Sequence, residues 1–191
     1  AVSEAFSRYL APELVAQLAR DPGALKLGGE RRNLSILFCD VRGFTSMSEK
    51  LKDEPERLTT LINRLLDVLS GAVMAEGGTI DKYMGDCVMA FWGAPIDTPD
   101  HATLAVRAAL DMADAVHDIN RLHRASGRPE ISVGIGINSG VMSVGDMGST
   151  ARRSYTVVGD AVPAAEAGTG SRLEAMPLRA PAGGSAITSL R

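Results

Sequence analysis

Apolar residues recur along this chain in two rhythms. Over residues 55–75, Leu58, Leu61, Ile62, Leu65, Leu69 and Val73 return at the 3.6-residue spacing of one helix face, and Gly77-Gly78 stops the pattern. A second long helix, rich in alanine, is predicted over 100–124 with Asp100 as its N-cap. Residues 34–39 form a short apolar run that reads as a buried strand ending at Asp40, followed by Gly43 and a helical stretch over 45–51. Two runs, 79–83 and 87–92, flank Met84-Gly85-Asp86 as the arms of a hairpin. Residues 131–137 alternate as a strand, Asn138-Ser139-Gly140 reads as a turn into 141–144, and 155–158 is a further short strand.

Before these elements, residues 3–20 read as one amphipathic helix or two short ones, with Leu10, Leu14, Val15 and Leu18 near helical spacing and Pro12 at a first-turn position. Asp21-Pro22-Gly23 and Gly28-Gly29 break it. A packing helix and a link to an upstream regulatory part are equally good readings of it. From Pro163 onward the residues are small and poor in core formers, which predicts an irregular tail. The chain thus divides into a lead-in (1–30), a folded domain (31–162) and a tail (163–191). The order strand, helix, hairpin, helix, hairpin predicts an α+β, ferredoxin-like (βαβ-βαβ) antiparallel sheet with helices on one face.

Composition narrows the function. The 191 residues carry 45% hydrophobic and 23% charged side chains and a net charge of −3, ordinary for one domain with an appendage. There is no basic block to condense on nucleic acid, so no nucleic-acid partner is expected. A small anionic substrate stays open, because metal ions can supply local positive charge. Cys39 and Cys87 lack metal or redox spacing and read as reduced core residues of a cytoplasmic protein. No run approaches about 18 continuous apolar residues, so no membrane span is expected. The chain lacks an initiator Met and reads as a piece of something longer. His101, His117 and His123 fall in or beside the second long helix and are expected at the surface.

Two acidic residues stand where strands end or turn, Asp40 and Asp86. If the first strand and the hairpin lie side by side, both carboxylates emerge at one edge, as a two-metal phosphoryl-transfer site requires. Either residue alone reads more simply as a turn cap. The surrounding strings shift that balance. Phe38-Cys39-Asp40-Val41-Arg42-Gly43-Phe44-Thr45-Ser46-Met47-Ser48 resembles the F-x-D-I-x-G-F-T-x-x-S signature of class III adenylyl and guanylyl cyclases. Residues 78–86 resemble that family's G-T-I-D-K-x-x-G-D hairpin. Residues 135–140 and 155–162 match two further family stretches in order and spacing, and Tyr9 to Val15 looks like the lead-in helix of bacterial cyclases with an upstream sensory part.

The resemblance implies a nucleotidyl cyclase fold that converts ATP to cyclic AMP and pyrophosphate in intracellular signalling. Asp40, Asp86 and the Val41 carbonyl would hold two Mg²⁺ or Mn²⁺ ions per site, and Gly43, Phe44 and Thr45 would present backbone N–H groups to the triphosphate. Lys82 and Thr156 would contact the purine; Lys with Thr argues for adenine, whose amino group needs an acceptor. The resemblance also implies a homodimer with sites between protomers, and a cytoplasmic domain whose parent carries a sensory or membrane-anchored region.

The end of the pattern departs from the family. After 159–162 the family continues N-x-A-S-R, whose Asn orients the ribose and whose Arg stabilises transition-state charge. Here Pro163 and Ala167 hold those positions. Ser171-Arg172-Leu173-Glu174 resembles the missing string displaced downstream, so Arg172 is the candidate for the catalytic arginine. No asparagine follows Asn138, and no lysine occurs in the tail. Loss of one charge-stabilising donor commonly costs on the order of 10²–10³ in turnover, so weakened catalysis is expected. The alternative is a non-catalytic nucleotide-binding or dimerisation module.

Overall fold

A computed structural model of the chain describes residues 12–21, 23, 29–149, 153–169 and 187–190. Its elements are α1 (Pro12–Arg20), β1 (Glu30–Arg42), α2 (Phe44–Lys50), α3 (Pro55–Ala75), β2 (Thr79–Met84), β3 (Cys87–Trp92), α4 (His101–Ala125), β4 (Ser132–Gly148), β5 (Arg153–Val158), α5 (Ala161–Gly168) and β6 (Ile187–Leu190). The strands form one antiparallel sheet in the order β2-β3-β1-β4-β5, with β6 beside β4.

The predicted α+β fold is the one observed, with the long helices α3 and α4 on one face of the sheet. Leu65, Leu69 and Val73 of α3 and Ala105, Ala108, Ala109 and Met112 of α4 pack on Leu37, Cys39, Ala90, Trp92, Ile135 and Ile137. The alanines leave room for the α4 backbone to approach the strands, while period-2 alternation sends Ile36, Phe38, Met89 and Phe91 to the other side. By length and hydropathy alone α3 could cross a membrane, which counting continuous apolar residues does not register. In the fold its stripe joins the core.

The second face carries its own apolar cluster, covered by α5 through Ala161 and Ala165. Residues 163–168 are therefore helical where an irregular tail was expected. The reason lies in β4: a Cβ at Gly136 would collide with the Ala165 carbonyl, and one at Gly134 with the Thr169 carbonyl. Two glycines on the strand let a helix of small residues sit directly on it, so little side-chain bulk is needed.

The expected turn at Asn138-Ser139-Gly140 is absent, and β4 runs through it. Unbroken pairing with β1, from Glu30↔Val144 to Arg42↔Ser132, overrides the local turn preference. Asn138 instead donates to the Ala161 carbonyl at 3.1 Å and accepts from the Ser139 amide at 2.9 Å. The same pairing extends β1 into the polar residues 30–33, where Arg32 bonds the carbonyls of Gly93 and Pro95 at 3.1 and 2.9 Å.

Two histidines expected at the surface are buried. His101 Nδ1 shares a 2.7 Å hydrogen bond with Ser35 Oγ, and His123 Nδ1 lies 2.7 Å from the Pro129 carbonyl oxygen. Each finds a polar partner inside, which makes burial tolerable. Helical phase alone did not reveal those partners.

Candidate active site

β1 and β3 are neighbours, and their register sets Asp40 opposite Cys87, one residue from Asp86. The Val41 amide donates to the Asp86 carbonyl at 3.1 Å, tying the end of β1 to the hairpin turn. Both aspartates are half-buried. Burial lifts the Asp40 carboxyl above its ordinary range, the Asp86 charge lifts it further, and Arg42 pulls against both. Cys87, on the same face, has its thiol pushed up to about 12 by burial and then by the charges of Asp40, Asp86 and Glu166. Negative charge thus concentrates at this corner.

The donor chemistry fits a hard divalent cation. Two carboxylates with an adjacent backbone carbonyl are the oxygen set that Mg²⁺ and Mn²⁺ accept, and the repulsion that raises Asp40 is what such an ion relieves. Among the described residues no group of three or more His, Cys, Asp and Glu side chains gathers to hold a metal.

Gly43 follows directly, with φ 71° and ψ 14°, a left-handed conformation that glycine adopts without strain. It caps α2, and the Met47 amide closes onto the Gly43 carbonyl at 3.0 Å. The amides of Phe44, Thr45 and Ser46 lie in the first turn, where no intrahelical acceptor exists. Arg42 reaches across to donate from Nη2 to the Thr169 carbonyl just past α5, leaving its buried Nε without a partner.

Lys82 and Thr156 come together through a third residue. Thr156 Oγ1 donates to Asp81 Oδ2 at 2.6 Å, and Lys82 Nζ lies 3.7 Å from Asp81 Oδ1. β2 and β5 lie at opposite ends of the strand order, so the sheet coils until its ends meet; Phe91 and Tyr155 rings, 6.1 Å apart, mark the same closure. Asp81 is the residue that motif reading passed over, although it stands inside the G-T-I-D-K string. Burial raises its carboxyl, opposed by the Thr156 hydroxyl, the Lys82 charge and the Val157 amide.

On α5, Pro163 and Ala167 are exposed, and the helix packs through Ala161, Ala165 and Gly168. Arg172 lies outside the described residues.

The chain matches the model of the adenylate and guanylate cyclase catalytic domain over residues 29–176. It is 36% identical over 176 residues to an adenylate cyclase of Anabaena cylindrica, covering 91% of this chain and 33% of that protein. Among solved structures, the adenylyl cyclase CyaB from P. aeruginosa superposes with TM-score 0.69 and 38% identity over 73% of this chain and 72% of that one. The guanylyl cyclase Cya2 superposes equally well, at 0.69 and 37% identity over 75% and 72%. The chain spans 25% and 33% of the length of two curated relatives it matches, one of them adenylate cyclase 1 of Rhizobium meliloti.

Proposed function

From the premise that this chain belongs to the adenylate and guanylate cyclase catalytic-domain family, we propose that it binds ATP with divalent cations and is built to close it into 3′,5′-cyclic AMP with release of pyrophosphate. The observation that carries this reading is the Val41–Asp86 hydrogen bond, which gathers two carboxylates beside a glycine turn. Asp40, Asp86 and the Val41 carbonyl would hold Mg²⁺ or Mn²⁺. The chemistry such ions supply when bound is activation of the ribose 3′-hydroxyl and neutralisation of charge on the leaving pyrophosphate.

The chain's own groups orient the nucleotide. Amides of the turn at Gly43, Phe44 and Thr45 receive triphosphate oxygens, a use suited to a helix start. Lys82 donates to the purine ring nitrogen and Thr156 accepts from the 6-amino group, an order that fits adenine and opposes guanine. No side-chain nucleophile is required, because the attacking group belongs to the substrate.

The site is shared between two copies of the chain, one giving the aspartates and the other the purine contacts. Exposed Tyr83 and Met84 on β2 (46% and 38%) and Val158 on β5 (58%) support such an interface. The domain serves as the cytoplasmic output of a longer protein with an upstream sensory region, a reading supported by its short span of its relatives.

Turnover is weak. Pro163 offers no amide side chain to the ribose and Ala167 no charge to the phosphate, and their exposure on α5 also favours a second reading, a nucleotide-binding module that regulates without catalysis. Incubation of the purified chain with ATP and Mn²⁺ decides between them. Cyclic AMP that disappears in Asp40→Ala supports the enzyme; nucleotide binding without product supports the module.

A further inference from the structure

Asp81 does more than fill the space between Lys82 and Thr156. The β2–β3 register pairs Ile80 with Ala90 and Lys82 with Met89, leaving Asp81 as the extra residue of a bulge. Its side chain has no solvent exposure. Three donors converge on it: the Thr156 hydroxyl at 2.6 Å, the Val157 amide and the Lys82 ammonium at 3.7 Å. Its buried Oδ1 has no hydrogen-bond partner among the described residues and lies 3.7 Å from that ammonium. Three donors aimed at one carboxyl favour its ionised, accepting form against the burial that opposes it.

A threonine hydroxyl has one proton to give. With that proton committed to Asp81 Oδ2, Thr156 Oγ1 can offer only lone pairs to a ligand. Lys82, its side chain 46% exposed, retains ammonium N–H groups for a second partner. We propose that Asp81 is a positioning residue for base selection: by holding the Thr156 proton it makes Thr156 an obligate acceptor, so that Lys82 and Thr156 together present a donor–acceptor edge. Adenine, with a ring-nitrogen acceptor beside an amino donor, complements that edge. Guanine, with a carbonyl acceptor beside an N–H donor, inverts it. The inference rests on the adenine reading given above and supplies its mechanism, since a free hydroxyl would rotate to suit either base.

Calorimetric titration of the full chain with Mn²⁺ and 3′-deoxy-ATP or 3′-deoxy-GTP, which lack the attacking hydroxyl, tests this without requiring turnover. The wild type is expected to prefer the adenine nucleotide. Asp81→Ala, which removes the acceptor that an asparagine would keep, is expected to lower the ATP-to-GTP affinity ratio about three- to tenfold, the scale of one misdirected hydrogen bond. Thr156→Val should do the same, and the double variant should lose no more than either single one. A wild type with no preference overturns the adenine reading and the inference together. Preference in the wild type with an unchanged ratio in Asp81→Ala, or losses that add in the double variant, overturns the inference alone; a mere strap between β2 and β5 would lower the melting temperature and leave the ratio intact. Should Asp81→Ala fail to fold, Thr156→Val decides, an undiminished ratio counting against the proposal.

Discussion

The Val41 amide and the Asp86 carbonyl meet at 3.1 Å, and this bond fastens the end of β1 to the turn of the β2–β3 hairpin. Its consequence is electrostatic. Asp40 and Asp86, distant in sequence, share one corner of the sheet, where burial and the second charge make ionisation of Asp40 unfavourable. A fold keeps such a corner when something else gains from it, and a divalent cation is the simplest beneficiary.

Replacing Asp40 by Asn should separate stability from function. The folded carboxyl is raised above its unfolded value, so the native state holds the proton more tightly and metal-free stability falls as pH rises through that window. Asp40→Asn should therefore melt higher than wild type in EDTA at pH 7, lose the rise in melting temperature that Mn²⁺ and ATP produce, and lose cyclic AMP formation by about 10²-fold or more. Scanning fluorimetry with and without Mn²⁺ reads the first two effects; product assay reads the third.

His101 sets a pH limit on stability. Burial lowers its pKa from the ordinary 6.5, against the pull of Asp97 and Asp100. Below about pH 6.5 the unfolded chain takes up the proton while the buried ring resists it, so stability is present above that pH and lost as pH falls through it. Thermal melts between pH 7.5 and 5.5 should show the decline, and His101→Gln should flatten it.

The seat of α5 depends on the absence of a side chain on β4. Gly136→Ala places a methyl against the backbone at Ala165 and Thr169 and is expected to cost about 1–3 kcal/mol by overpacking. Urea titration measures the loss, and faster proteolysis after residue 160 would locate it at α5. An unchanged midpoint would mean that α5 does not rest on this strand.

Catalysis should be recoverable at two exposed positions. Pro163→Asn with Ala167→Arg restores an amide and a cation on α5 without touching the core, and is expected to raise cyclic AMP formation by about 10²-fold or more over wild type. An equal rate in both would assign those roles elsewhere in the chain.

Much of this was legible because periodicity survives packing. The stripe from Leu58 to Val73 gave α3 its bounds, and the strings around Asp40 and Asp86 marked the corner where the structure brings those residues together. What escaped reading depends on long-range register. Asn138 reads as a turn until β1 is laid beside it, and Asp81 reads as one more strand residue until β3 creates the bulge. Helix α5 carries too few large side chains to announce itself, because its partner surface is two glycines. Arg172, a candidate from sequence, lies outside the described residues, and its role rests on the resemblance alone.

The most direct test of the two-carboxylate site is Mn²⁺-dependent binding of a non-cyclisable ATP analogue, measured by calorimetry on wild type, Asp40→Asn, Asp86→Asn and the double variant. Binding that requires Mn²⁺ in the wild type, weakens at least tenfold in each single variant (about 1.4 kcal/mol) and vanishes in the double one is the predicted result. Equal Mn²⁺-dependent affinity in wild type and double variant would contradict it.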